Sequence, residues 1–224
     1  VHLIMIIFAL LTLALAINNC SKEVIARELD KKILDTKFTP IGEDFYLHDS
    51  PERQKELANI IKNWEIVCGF WYTDSQQVHY ELKNFNSVFD AISHGYLVTH
   101  YGVCGACSNF HDFSIYLDMD LTDPAWWCSM LGFFSDWLAI KCYENHIGFT
   151  HDCAKTWYYD SANTWRHCLL VCLWSSIKGE PNVIDGKINK CIQCDEDMSG
   201  PLFKYYAGRN RWNSGIVSEL TRDD

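Results

Sequence analysis

Apolar residues recur at helical spacing along most of this 224-residue chain, and strict alternation is confined to short stretches. From Glu23 to Leu34, the positions Val24, Ile25, Leu29, Ile33 and Leu34 fit one side of a short amphipathic helix. Residues 36–49 carry no period and turn at Pro40-Ile41-Gly42. A clear helical signal follows. Ser50 is a capping residue, Pro51 suits the first helical position and Glu52 suits the positive end of the helix. Leu57, Ile60, Ile61, Trp64, Val67 and Cys68 then make one stripe that Gly69 ends, which predicts a bridge from Cys68 to a neighbouring helix. Val78, Tyr80 and Leu82 alternate as in a short strand, inside a segment, 70–86, that a helix also fits. Residues 87–93 read as a helix closed by His94-Gly95.

The stretch Gly95–Leu117 changes period twice. An extended run from Tyr96 to Tyr101 feeds a turn at Gly102, the turn carries Cys104-Gly105-Ala106-Cys107, and a helical pattern follows. Thr122-Asp123-Pro124 is a helix start whose pattern continues through Trp127, Leu131, Phe134, Leu138 and Cys142. Thr150-His151-Asp152 starts another, with Cys153, Trp157, Ser161, Cys168 and Cys172 along one face until Gly179 and Pro181 stop it. Three cysteines on one helical face predict staples to the surrounding helices. After a loop at 181–186 come a second Cys-x-x-Cys (Cys191, Cys194), an acidic run at Asp195–Asp197, a short aromatic helix and the basic segment Arg209-Asn210-Arg211. The chain holds no internal repeat and no low-complexity linker. The predicted fold is mainly α, a single domain over residues 17–224 braced by disulfides, with at most a few short strands.

Residues 1–16, VHLIMIIFALLTLALA, form an apolar run ending in a small-x-small site, the pattern of a cleaved signal peptide. The run is shorter than the roughly 20 residues of a membrane span, and an uncleaved anchor is the alternative. Eleven cysteines behind such a leader predict five bridges and one odd thiol, free or available for a disulfide-linked dimer. The expected location is extracellular or the lumen of the secretory pathway. A net charge of −10 argues against nucleic acid, and because no later segment approaches spanning length no membrane partner is expected once the leader is removed. Many of the nine tryptophans and eleven tyrosines are expected in the core, and any that remain exposed in a cluster would suggest a binding face for a small molecule, a glycan or an extracellular protein.

Four side chains are candidates for chemistry: Cys104, Cys107, His100 and Asp112. A Cys-Gly-x-Cys between strand and helix is the arrangement of dithiol redox proteins. There the helix end favours a thiolate and the second thiol resolves the mixed disulfide. His94, His100 and His111 are placed to add positive charge or shuttle a proton. Against this, the position before Cys104 is Val103 rather than an aromatic residue, and the chain lacks the alternating strand–helix pattern of thioredoxins. The same residues also fit a nucleophile, base and orienter of a thiol hydrolase or transferase, with His100 as base and Asp112 as orienter. Cys104 and Cys107 with Cys191 and Cys194 would make a four-thiolate zinc site, but over an interval far longer than the roughly 15–20 residues of zinc ribbons. The structural alternative sends Cys104 and Cys107 to separate bridges. No cofactor or metal is expected. The acidic run lacks the spacing of a calcium loop, and Arg209 and Arg211 are expected to pair with it on the surface.

Two segments, HYGVCGACSNFHDFSIYL and CIQCDEDMSGPLFKYYAGRNRWNSGI, together resemble an uncharacterised family of secreted cysteine-rich proteins from algae and other simple eukaryotes. That family reads Arg-Arg where this chain has Arg211-Trp212, and the resemblance implies no activity. The functional expectation is therefore extracellular binding or structure, with a thiol-dependent enzyme centred on Cys104 and Cys107 as the alternative.

Overall fold

The computed structural model describes residues 22–48, 50–62 and 65–217. The apolar leader, Cys20 and Trp64 lie outside them. Among the described residues the fold is mainly helical, as the periodicity predicts. Helix α1 spans residues 22–30 and α2 spans Pro51–Lys62. Strand β1, Ile33–Leu34, lies between them, and β2, Val67–Tyr72, follows α2. Then come β3 (His79–Phe85), α3 (Val88–Ser93), β4 (Leu97–Tyr101) and α4 (Phe110–Asp118). The second half holds α5 (Thr122–Leu131), α6 (Asp136–Cys142), the long α7 (His151–Lys178), α8 (Lys190–Met198) and α9 (Gly200–Ala207).

Helix starts occur where the sequence signals them, at Pro51, Thr122 and His151, and the predicted side-chain cap forms at Ser50, while the structure adds caps at Ser87 and Asn109 and shows none from Thr150. Ser50 accepts from the Arg53 amide, Ser87 from the Asp90 amide and Asn109 from the Asp112 amide. Where the signal was periodicity alone, the sheet captures residues that also suit a helix. Ile33 and Leu34 leave the α1 period because the Ile33 and Asp35 amides donate to the carbonyls of Val78 and Tyr80 on the edge of β3. Val67 and Cys68 likewise belong to β2 and not to α2, in a run of β-branched and aromatic residues suited to a pleated surface. Strand order is β1-β3-β2-β4, with β2 antiparallel to both neighbours and β1 parallel to β3. Gly69 sits at a register shift in β2. A Cβ there would meet the Phe85 ring at 2.9 Å and Tyr96 at 3.1 Å, so any side chain would force those residues to shift.

The pattern continuing from Thr122 to Cys142 is also cut. Gly132 lies at the turn between α5 and α6, packed so closely that a Cβ there would meet the Tyr158 ring of α7 at 2.9 Å. The segment 181–186 is less irregular than its composition predicts. It opens a two-residue hairpin, Val183–Ile184 against Lys187–Ile188, turned by Asp185 and Gly186 at φ 52° and 76°.

Five disulfides brace this frame: Cys68–Cys104, Cys107–Cys153, Cys128–Cys142, Cys168–Cys194 and Cys172–Cys191. They account for all ten cysteines among the described residues. The predicted face of α7 does carry staples, from Cys168 and Cys172 to α8 and from Cys153 to the loop before α4. Cys68 joins that same loop rather than a helix. One core, with Tyr143, Phe149, Ala154 and Leu202, lies around α7, and a smaller one, with Tyr80, Leu82 and Phe110, lies under the sheet.

The two halves meet backbone to backbone. The Ala106 and Cys107 amides donate to the carbonyls of Tyr206 and Ala207, each at 2.9 Å. A Cβ on Gly105 would stand 2.7 Å from both Ala207 and Gly208 backbone atoms, so only glycine lets the chains approach. Gly105→Ala is therefore expected to cost more than about 3 kcal/mol in urea unfolding. Gly42→Ala, where a Cβ meets nothing within 4 Å, should stay within about 0.5 kcal/mol of the native protein.

Candidate functional site

The residues singled out by the sequence are brought together, but as a buried junction. Cys104 is bonded to Cys68 and Cys107 to Cys153, so in the oxidised chain the two do not pair with each other and neither is a thiol. The four sulfurs of the zinc alternative are likewise each bonded to a different partner, since Cys191 and Cys194 join Cys172 and Cys168. His100 is 2% exposed. Its Nδ1 lies 2.8 Å from the Tyr101 carbonyl, which can only accept, so Nδ1 carries the proton. Nε2 then accepts from the Ser108 hydroxyl at 2.8 Å, and that oxygen in turn accepts from the Gly105 amide. Burial, with the nearby Arg209 charge, holds the imidazole well below its ordinary value.

Asp112 is fully buried and does not orient His100. Its carboxylate accepts from the Thr150 amide and hydroxyl and from the Asn109 side chain, fastening the start of α7 to the start of α4. Burial pushes its carboxyl up, against the Thr150 and Asn109 hydrogen bonds that pull it down. His111 bridges Asp30 and the Gly148 carbonyl, and His94 closes α3 on the Asp90 carbonyl.

Arg209 is not on the surface with the acidic run. It is fully buried, stacked 3.9 Å over the Phe113 ring, with its guanidinium donating to Thr99, Ser108 and Ser214. Its Nε has no hydrogen-bond partner, and burial draws the group down to about 9. Arg211 donates to the carbonyls of Met119 and Val217.

Two clefts flank this junction. The first, of about 830 Å³, is walled by the backbone of Val103–Ala106 with Phe38, Phe45, His111 and Tyr206. Of the four candidate residues only Cys104 reaches it.

The second cleft lies between α5, α7, α8 and α9. It has a volume of about 500 Å³ and is lined by the indoles of Trp126, Trp157, Trp165 and Trp212 together with Phe203 and Ile192. Trp157 is locked in place by stacking on Phe149, by an edge contact with Phe203 and by its Nε1, which donates to the Tyr116 hydroxyl at 3.0 Å. The Cys172–Cys191 bridge forms part of the wall. One end is acidic. Asp160 accepts from the Tyr46 hydroxyl at 3.1 Å, Asp195 from Thr164, and Glu196 pairs with Lys204 at 2.7 Å. Burial, and then the Asp195 charge, push the Asp160 carboxyl well above the ordinary range. Sequence reasoning passed over this site. Its one local signal was the spacing of Trp157, Asp160, Ser161, Thr164 and Trp165, which puts a carboxyl and two indoles on one face of a helix.

Fold and bridges together define a disulfide-stabilised, mainly helical protein, which fits an oxidising compartment. No helix among the described residues is long and apolar enough to cross a membrane. A family model described as a family of unknown function (DUF8771) matches residues 137–224. That region carries α7, α8 and α9, so it holds most of the lining of the tryptophan-lined cleft and not the Cys104–Cys107 loop. No curated protein and no solved structure matches the chain.

The neutral state of His100 has a measurable consequence. An unfolded chain takes up its proton as pH falls through about 6.5, while the folded site resists until the lower folded value. The stability belonging to this site is present above about 6.5 and is lost on acidification. Between pH 7 and 5 the native protein should lose more stability than His100→Gln, measured by urea unfolding at each pH.

Proposed function

We propose that this chain is a secreted binding protein that holds a small apolar molecule in the cleft between α5, α7, α8 and α9. The observation that carries this reading is the lining: four indoles and Phe203 around about 500 Å³, a volume suited to a small organic ligand. Ring faces offer large contact area at little conformational cost, and the carboxyl groups at one end supply orientation. The Cys172–Cys191 and Cys168–Cys194 bridges hold two of the walls in fixed register, so little ordering is left to the binding step. Cys104 and Cys107 are not part of this reading, because thiol exchange or a thiolate nucleophile would first require opening the bridges to Cys68 and Cys153. The leader-like residues 1–16 and the five bridges support export into an oxidising space.

The test is titration of the oxidised protein with Nile red, a neutral apolar dye, followed by dye emission and tryptophan quenching. The dye should bind and raise the thermal midpoint. Ile192→Trp, which fills the cleft from α8, should weaken binding by at least about tenfold. Dye binding that Ile192→Trp leaves unchanged would place it elsewhere on the molecule and end the cleft reading.

A further inference from the structure

The corner between α5 and α6 is one of two nearly charge-free stretches that expose several large apolar side chains among the described residues, the other being Leu170–Ile177 of α7, and it is the one that carries four exposed aromatic rings. Trp127, Leu131, Phe133, Phe134, Trp137 and Leu138 are 65, 36, 52, 83, 63 and 41% exposed. From Trp126 to Ile140 the one ionisable side chain is Asp136, and its carboxylate is occupied by the Tyr158 hydroxyl. Trp127 and Leu131 are one helical turn apart, Phe133 and Phe134 form the connection, and Trp137 and Leu138 open the next helix, so the six exposed side chains fall within twelve consecutive residues of one helical hairpin. The corner is also rigid. Cys128–Cys142 clamps the two helices, and Gly132 seats the turn against Tyr158. Monomeric surfaces do not usually expose so many adjacent rings without a partner.

We infer that this corner is a membrane-docking hairpin, which seats its aromatic side chains in the interface of a zwitterionic bilayer. Charge selects the occupant. A chain of net charge −10 with no lysine or arginine between Trp126 and Ile140 is repelled by an anionic leaflet and by a second copy of itself. An uncharged aromatic corner meets an uncharged headgroup surface without that cost. Tryptophan and phenylalanine are also the side chains that settle at the boundary between headgroups and acyl chains. The expectation of no membrane partner rested on spanning length, which a peripheral contact does not need. Phe133 packs on Trp165 at 4.9 Å between ring centres, and Trp165 lines the cleft, so docking would set the cleft mouth beside the lipid. The docking inference itself does not depend on what the cleft binds.

The oxidised full-length mature protein is mixed with phosphatidylcholine vesicles and separated by sedimentation, with tryptophan emission and quenching by brominated acyl chains recorded in parallel. Co-sedimentation, a blue shift and shallow quenching are expected. Phe134→Ser/Trp137→Ser should lower partitioning on the order of 100-fold, with the thermal midpoint unchanged because both side chains are exposed. Absence of binding to phosphatidylcholine, or binding only when anionic lipid is added, would overturn the inference. So would partitioning that the double variant leaves intact. A dimer in sedimentation equilibrium that the same variant dissociates would assign the corner to a second copy instead.

Discussion

The contact on which the rest depends is the one between two backbones, at Gly105 and at Gly208. The loop after β4 lies directly on the end of α9, amide to carbonyl, with no side chain between them. Everything nearby serves that approach. Cys104 and Cys107 anchor the loop on one side to the sheet and on the other to α7, and Asp112 fastens the same α7 end through Thr150. Arg209 fills the space behind with a cation on Phe113 and hydrogen bonds to three segments. Its charge is part of the reason that His100 stays neutral there. The buried polar groups are costly singly and are tolerated as a joined set.

Seen this way, the residues that read as reactive are those that join the sheet to the helices. A thiol motif after a strand, a histidine and an acid within a few residues satisfy the demands of redox chemistry and those of a junction equally well. What separates the two is where the distant partners lie, and spacing within one segment does not contain that. The two segments that carry the resemblance contain the two sides of this contact, Gly105 in one and Gly208 in the other.

Local signals were legible wherever the physics is local. The cap at Ser50 and the cysteine face of α7 needed only neighbours three or four residues away. Val67-Cys68 and Ile33-Leu34 did not read correctly, because a short apolar run satisfies both periods and the choice is made by the edge of β3. The tryptophan cleft was invisible for a related reason. Its walls come from four helices and from the segment after α9, and no single one of them carries more than part of the lining. Arg209 was misplaced on the surface because a basic residue between Gly208 and Asn210 resembles an exposed turn. Its burial follows only from the docking of the loop above it.

The bridge pattern carries one more consequence, for biosynthesis. No two of the five disulfides cross: Cys128–Cys142 lies inside Cys107–Cys153, and Cys172–Cys191 lies inside Cys168–Cys194. The finished scaffold therefore needs no threading of one covalent loop through another. The order of emergence is less accommodating. A chain entering an oxidising lumen from its N-terminus presents Cys107 with Cys128 and Cys142 well before Cys153 follows. Cys107 must wait, or be exchanged, until the first turn of α7 arrives, so this half of the junction can be sealed only after Cys68–Cys104 and Cys128–Cys142, and before the two bridges that join α7 to α8.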